Sequence, residues 1–85
     1  MNKFAFYSDP GHGWLRVPRS ELMRLGIAHK ITGYSYYRNG WAYLEEDCDA
    51  SLFMKARAAE DRPISVVYRD STKTSRIRNY RRYGA

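Results

Sequence analysis

The sequence predicts an α+β domain in which a small, mostly antiparallel sheet surrounds a central β-hairpin and two short helices pack on one face. Three observations lead there. Asn39-Gly40 lies between two aromatic, strand-like runs, and Asn-Gly is the strongest short hairpin signal because both residues accept the positive φ that matches the twist of the flanking strands. Two other segments carry helical start and stop residues around apolar positions at three-four spacing. At 85 residues, 44% hydrophobic and 15% aromatic, the chain has material for one packed core and no room for a second domain.

The elements follow in order. Lys3-Phe4-Ala5-Phe6-Tyr7 is short and aromatic, and Ser8-Asp9-Pro10-Gly11 after it is turn composition, so a first strand is expected. Trp14-Leu15-Arg16-Val17 alternates large apolar with polar residues and predicts a second strand ended by Pro18. Pro18 suits the first turn of a helix, where its missing N–H is not required. Leu22, Met23 and Leu25 supply that helix with an apolar face, and Gly26 stops it. Residues 31–37 and 41–44 form the two strands of the hairpin. Asp47 or Asp49 is placed to cap a second helix over residues 50–60, whose buried stripe is Leu52, Phe53, Ala56 and Ala59 or Glu60. Asp61-Arg62-Pro63 breaks it, the β-branched run 64–68 predicts another strand, and 70–74 turn the chain into a less regular strand over 75–80. The division is a single α+β domain over 1–68 and a basic aromatic C-terminal segment over 69–85, with room for a last strand before a tail.

Charge is distributed unevenly. The formal net charge is +6, but residues 1–68 carry nine Lys/Arg against eight Asp/Glu and residues 69–85 carry six against one. The body is nearly neutral and the C-terminal segment holds almost all the excess. The apolar runs fall far short of the ~20 residues of a membrane span, and the N-terminal stretch lacks the apolar core of a signal peptide, so a soluble cytoplasmic protein with no membrane contact is expected. The lone Cys48 cannot form an internal disulfide.

Candidate functional residues fall into four groups. Arg76, Arg78, Arg81 and Arg82, interleaved with Tyr80 and Tyr83 and extended by Lys73, match a nucleic-acid-binding segment: guanidinium forks contact phosphates and phenol rings stack on bases. The plainer reading is a solvated tail whose tyrosines pack on the body. Glu45, Glu46, Asp47 and Asp49 form an acidic corner that serves either to favour the helix N-terminus or to dock a basic partner surface, and Tyr36 and Trp41 of the hairpin offer aromatic anchors to a protein partner or to bases. Gly11, His12 and Gly13 form a turn whose N–H groups suit an anion such as the phosphate of a small nucleotide; the alternative is a tight turn that needs positive φ at Gly11 or Gly13.

Catalysis finds no support. The soft ligands His12, His29 and Cys48 are far apart in sequence and lack zinc spacing, and the acids lack the pattern of a calcium loop. Asp47 and Asp49 flank Cys48 and disfavour its thiolate. No catalytic residue, metal or cofactor is expected.

Two blocks, Tyr7-Ser8-Asp9-Pro10-Gly11-His12-Gly13-Trp14-Leu15-Arg16-Val17 and Tyr43-Leu44-Glu45-Glu46-Asp47-Cys48-Asp49, resemble a family of small uncharacterised proteins of bacteriophages and mobile elements, over roughly residues 6–56. The resemblance implies a phage or plasmid setting, with action in the host cytoplasm on host machinery or host defence, and transfers no residue roles. The leading expectation is a non-enzymatic protein that contacts nucleic acid through its C-terminal segment. The alternatives are an inhibitor of a host protein that uses the acidic corner or the hairpin, and a nucleotide binder at the Gly-His-Gly turn.

Overall fold

A computed structural model describes residues 2–84. Its strands are β1 (Lys3–Ser8), β2 (Gly13–Pro18), β3 (Tyr36–Arg38), β4 (Trp41–Glu45), β5 (Ser65–Asp70) and β6 (Arg81–Arg82), and its helices are α1 (Arg19–Arg24) and α2 (Asp49–Ala59). One six-stranded sheet runs in the order β5-β1-β2-β4-β3-β6. Every neighbouring pair is antiparallel except β1 and β5, which are parallel. The fold is the expected α+β arrangement.

Alternation along the strands divides the sheet into two faces. Phe4, Leu15, Val17, Ala42 and Leu44 point to one side, where Leu22 of α1 and Ala50 and Phe53 of α2 complete the buried core. Trp14 and Tyr43 point to the other, with Tyr7, Tyr36 and Trp41 beside them. Among the described residues this second face carries no α-helix; the 3₁₀ turn with Ile77, and Tyr80 after it, pack on part of it.

Local chemistry explains the ends of the elements. Gly26, at φ 72°, follows α1 in the left-handed region; its N–H donates to the Met23 carbonyl and that of Ile27 to the Leu22 carbonyl, a Schellman close with Leu22 and Ile27 both buried. The same pattern closes α2, with Asp61 at φ 60° in the place of the glycine. The hairpin turn has Asn39 at φ 50° and Gly40 at φ 85°, as a type I′ turn requires.

Several sequence expectations are corrected. The first hairpin strand is confined to Tyr36–Arg38 because the chain before it is held by α2: the buried Asp49 carboxylate accepts from the Thr32 N–H (3.0 Å), Thr32 Oγ1 (2.7 Å) and Ser35 Oγ. Asp49 is thus the first helical residue and caps nothing; no side chain caps α2 at Cys48. Met23, 58% exposed, leaves the apolar face of α1. On α2 the place expected for Ala59 or Glu60 is taken by Arg57, which is fully buried. Its guanidinium pairs with Glu21 (3.0 Å) and donates to Asn2 Oδ1 (2.8 Å) and the Arg62 carbonyl (3.0 Å). The boundary at 68/69 cuts through β5, and residues 76–79 form a 3₁₀ turn instead of a strand, with the buried Ile77 as its anchor. The segment after β5 returns across the sheet and ends as β6 on the edge of β3.

Candidate nucleic-acid interface

The helix-free face is built from three cross-strand rows. Arg69, Tyr7, Trp14 and Glu45 are register partners on β5, β1, β2 and β4. Arg16, Tyr43, Tyr36 and Arg82 form the next row on β2, β4, β3 and β6. Trp41 and Arg38 continue the face at the hairpin end. With Lys3, which shares the face of Tyr7 by alternation, five basic side chains accompany the aromatic rings. The strands carry only two acids, Glu45 and Asp70. Asp70 lies on the helix side, where it accepts from Ser8 Oγ (2.6 Å), and the Glu45 carboxylate is occupied by the N–H groups of Asp47 and Cys48.

Guanidinium groups stack on this aromatic surface: Arg16 lies 3.6 Å from the Trp41 ring centroid, Arg38 5.0 Å from Tyr80 and Arg82 5.7 Å from Tyr36. Between the sheet and the C-terminal segment is a cleft of about 530 Å³, with Tyr7, Arg16 and Tyr43 on its floor and Ser71, Thr74, Ser75, Arg76, Ile77 and Tyr80 on its wall. Burial pushes the Tyr43 phenol above its ordinary value, and the neighbouring Arg16 charge opposes that shift.

The predicted C-terminal residues divide by role. Arg76 lines the cleft and is exposed; Lys73 and Arg81 are exposed as well. Arg78 is engaged internally: its Nε and Nη2 donate to Asp9 at 2.7 and 2.8 Å. Tyr80 packs on Tyr43 with ring centroids 5.1 Å apart, and Tyr83 packs on Tyr37 and donates to the Ala28 carbonyl (2.8 Å). Arg82 donates to the Gly33 carbonyl (2.9 Å) as well as covering Tyr36. These tyrosines, together with the Arg78–Asp9 ion pair, hold the segment to the body.

The Gly-His-Gly turn is already supplied with an anion. Asp9 accepts from the Gly11 and His12 N–H groups (both 3.0 Å), from the Ser75 N–H (2.9 Å) and from Arg78. These donors hold its carboxyl far below the usual carboxylate range, Arg78 contributing most. Neither Gly11 nor Gly13 has positive φ. Glycine is favoured at Gly13 by close approach, since a Cβ there would run into the Phe6 ring; at Gly11 a Cβ would meet only the end of the Arg78 side chain, at 2.9 Å. In the acidic corner Asp49 is buried and Glu45 is committed to backbone, leaving Glu46 and Asp47 exposed. Tyr36 and Trp41 are half-buried in the aromatic face.

Sequence reasoning missed Lys3, Tyr7, Arg16 and Arg38 as site residues. The signal was the alternation of Trp14 and Arg16 against Leu15 and Val17, which puts an arginine among aromatics. Among the described residues no group of three His, Cys, Asp or Glu side chains is placed to hold a metal ion, and no helix is long and apolar enough to cross a membrane. No protein-family model matches the chain, nor does any curated protein or solved structure.

Proposed function

We propose that this protein binds nucleic acid through the helix-free face of its sheet, without catalysis, in the phage or mobile-element setting and host cytoplasm that the two sequence blocks imply. The observation that carries the reading is the segregation of charge: Lys3, Arg16, Arg38, Arg69 and Arg82 lie on a face whose one strand-borne acid, Glu45, is spent on backbone N–H groups. Phosphates supply the complementary charge, and the interspersed rings supply stacking surfaces. The expected contacts move from the C-terminal tail to this face, with Arg76 retained. The alternative, a host-protein inhibitor docking through the acidic corner, keeps only Glu46 and Asp47 as exposed acids there.

Fluorescence anisotropy with labelled single-stranded DNA, RNA and duplex tests the reading. Three to five phosphate contacts predict a slope of log K against log salt of about −2 to −3.5 on a single strand. Binding that is absent at low salt for all three, or insensitive to salt, would contradict it.

A further inference from the structure

Arg16 differs from the other arginines that the fold draws in. Arg57 meets Glu21, Arg78 meets Asp9, and Arg24 meets Glu21 and Glu60. Arg16 is half-buried, stacked on Trp41 and beside the Tyr43 phenol, and makes no ion pair among the described residues; its Nε is buried with no hydrogen-bond acceptor. A guanidinium withdrawn from water ordinarily has an anionic partner. Arg16 lines the cleft at the floor, and on the wall Arg76 stands beside the hydroxyls of Ser71, Thr74 and Ser75. The cleft therefore combines two guanidinium groups and the exposed Thr74 hydroxyl with the half-buried phenol rings of Tyr7 and Tyr80, in a volume typical of small-molecule sites; the Ser71 and Ser75 hydroxyls bond within the segment.

We infer that this cleft holds one unpaired nucleotide of a bound strand, its phosphate between Arg16 and Arg76 and its base against the Tyr7 and Tyr80 rings. The inference rests on the nucleic-acid reading above and narrows it to single strands. A base paired within a duplex cannot present its face to the floor of a cleft, whereas a splayed base can stack on an aromatic ring.

The test uses the full chain and labelled oligo(dT) and oligo(U), with competition by dTMP, UMP, AMP and inorganic phosphate. The nucleoside monophosphates displace the oligonucleotide, and phosphate at the same concentration displaces it less. Arg76→Ala, at an exposed position, lowers nucleotide affinity roughly ten-fold or more; Arg16→Lys keeps the charge but loses the fork and also weakens binding. Lys55→Ala, exposed on α2 on the other side of the sheet, changes nucleotide competition less than about two-fold. If oligonucleotide binds but no nucleotide competes and Arg76→Ala is silent, the cleft inference is overturned while the face-wide reading stands. Competition by phosphate equal to that by nucleotides overturns the role given to the base. Nucleotide binding without strand binding overturns both the strand as the source and the proposed function, and leaves a free-nucleotide site; failure of every probe overturns both readings.

Discussion

Asp9 accepts five hydrogen bonds, from the Gly11, His12 and Ser75 N–H groups and from two nitrogens of Arg78; Asp9→Asn keeps one acceptor oxygen but turns the other into a donor, which removes two or three of them and the charge that pairs with Arg78. Thermal unfolding of Asp9→Asn should therefore begin at a lower temperature than that of the wild type. The pH dependence has a definite sign. A carboxyl held down in the folded state gives its full contribution above the ordinary value of 3.8 and loses it as pH falls toward the folded-state value. Wild-type stability should drop between about pH 5 and pH 2, and Asp9→Asn should flatten part of that drop in denaturant titrations; an unchanged slope would remove Asp9 from the account. Arg57→Ala strips a fully buried guanidinium from Glu21, Asn2 and Arg62, and urea unfolding should show a loss of about 3–5 kcal/mol.

Turn positions give the clearest tests of the elements. Gly40→Ala, at φ 85°, should cost about 1–2 kcal/mol, because a Cβ is disfavoured in the left-handed region. Asp61→Gly relieves the same strain after α2 and should stabilise by about 0.5–1 kcal/mol; equal stability of the two chains would argue against the Schellman close. The hairpin and α1 were legible because their signals are local: Asn39-Gly40 for one, Pro18 and Gly26 for the other. Residues 31–35 were not, because their β-rich composition is overridden by Asp49 across the fold. The stripe on α2 misled for a related reason. Position 57 has the spacing of a core residue, yet arginine is ordinarily assigned to solvent, and Glu21, Asn2, the Arg62 carbonyl and the Phe4 and Phe53 rings help make its burial tolerable.

Residues 71–84 belong to the folded body. Ile77 fills the second core with Trp14 and Tyr43, Arg78 closes on Asp9 across 69 residues of sequence, and Tyr83 reaches the Ala28 carbonyl. None of these contacts has a local signature, so composition alone made the segment look like a tail. Its removal should uncover Trp14 and Tyr43 and increase binding of an apolar dye, so truncation cannot separate binding from folding and point variants must. The location of the candidate site moved for the same reason. The +6 charge is a property of the sequence, but which charges share a surface is set by strand alternation and sheet order. The face-specific account is tested most directly by anisotropy on a single-stranded oligonucleotide with Lys3→Glu, Arg38→Glu and Arg69→Glu combined, against Lys30→Glu and Lys55→Glu, which are exposed and lie outside that face. The account predicts a loss of roughly ten-fold or more for the first set, with a smaller, nonspecific loss for the second; equal losses from the two sets, or none from the first, would contradict it.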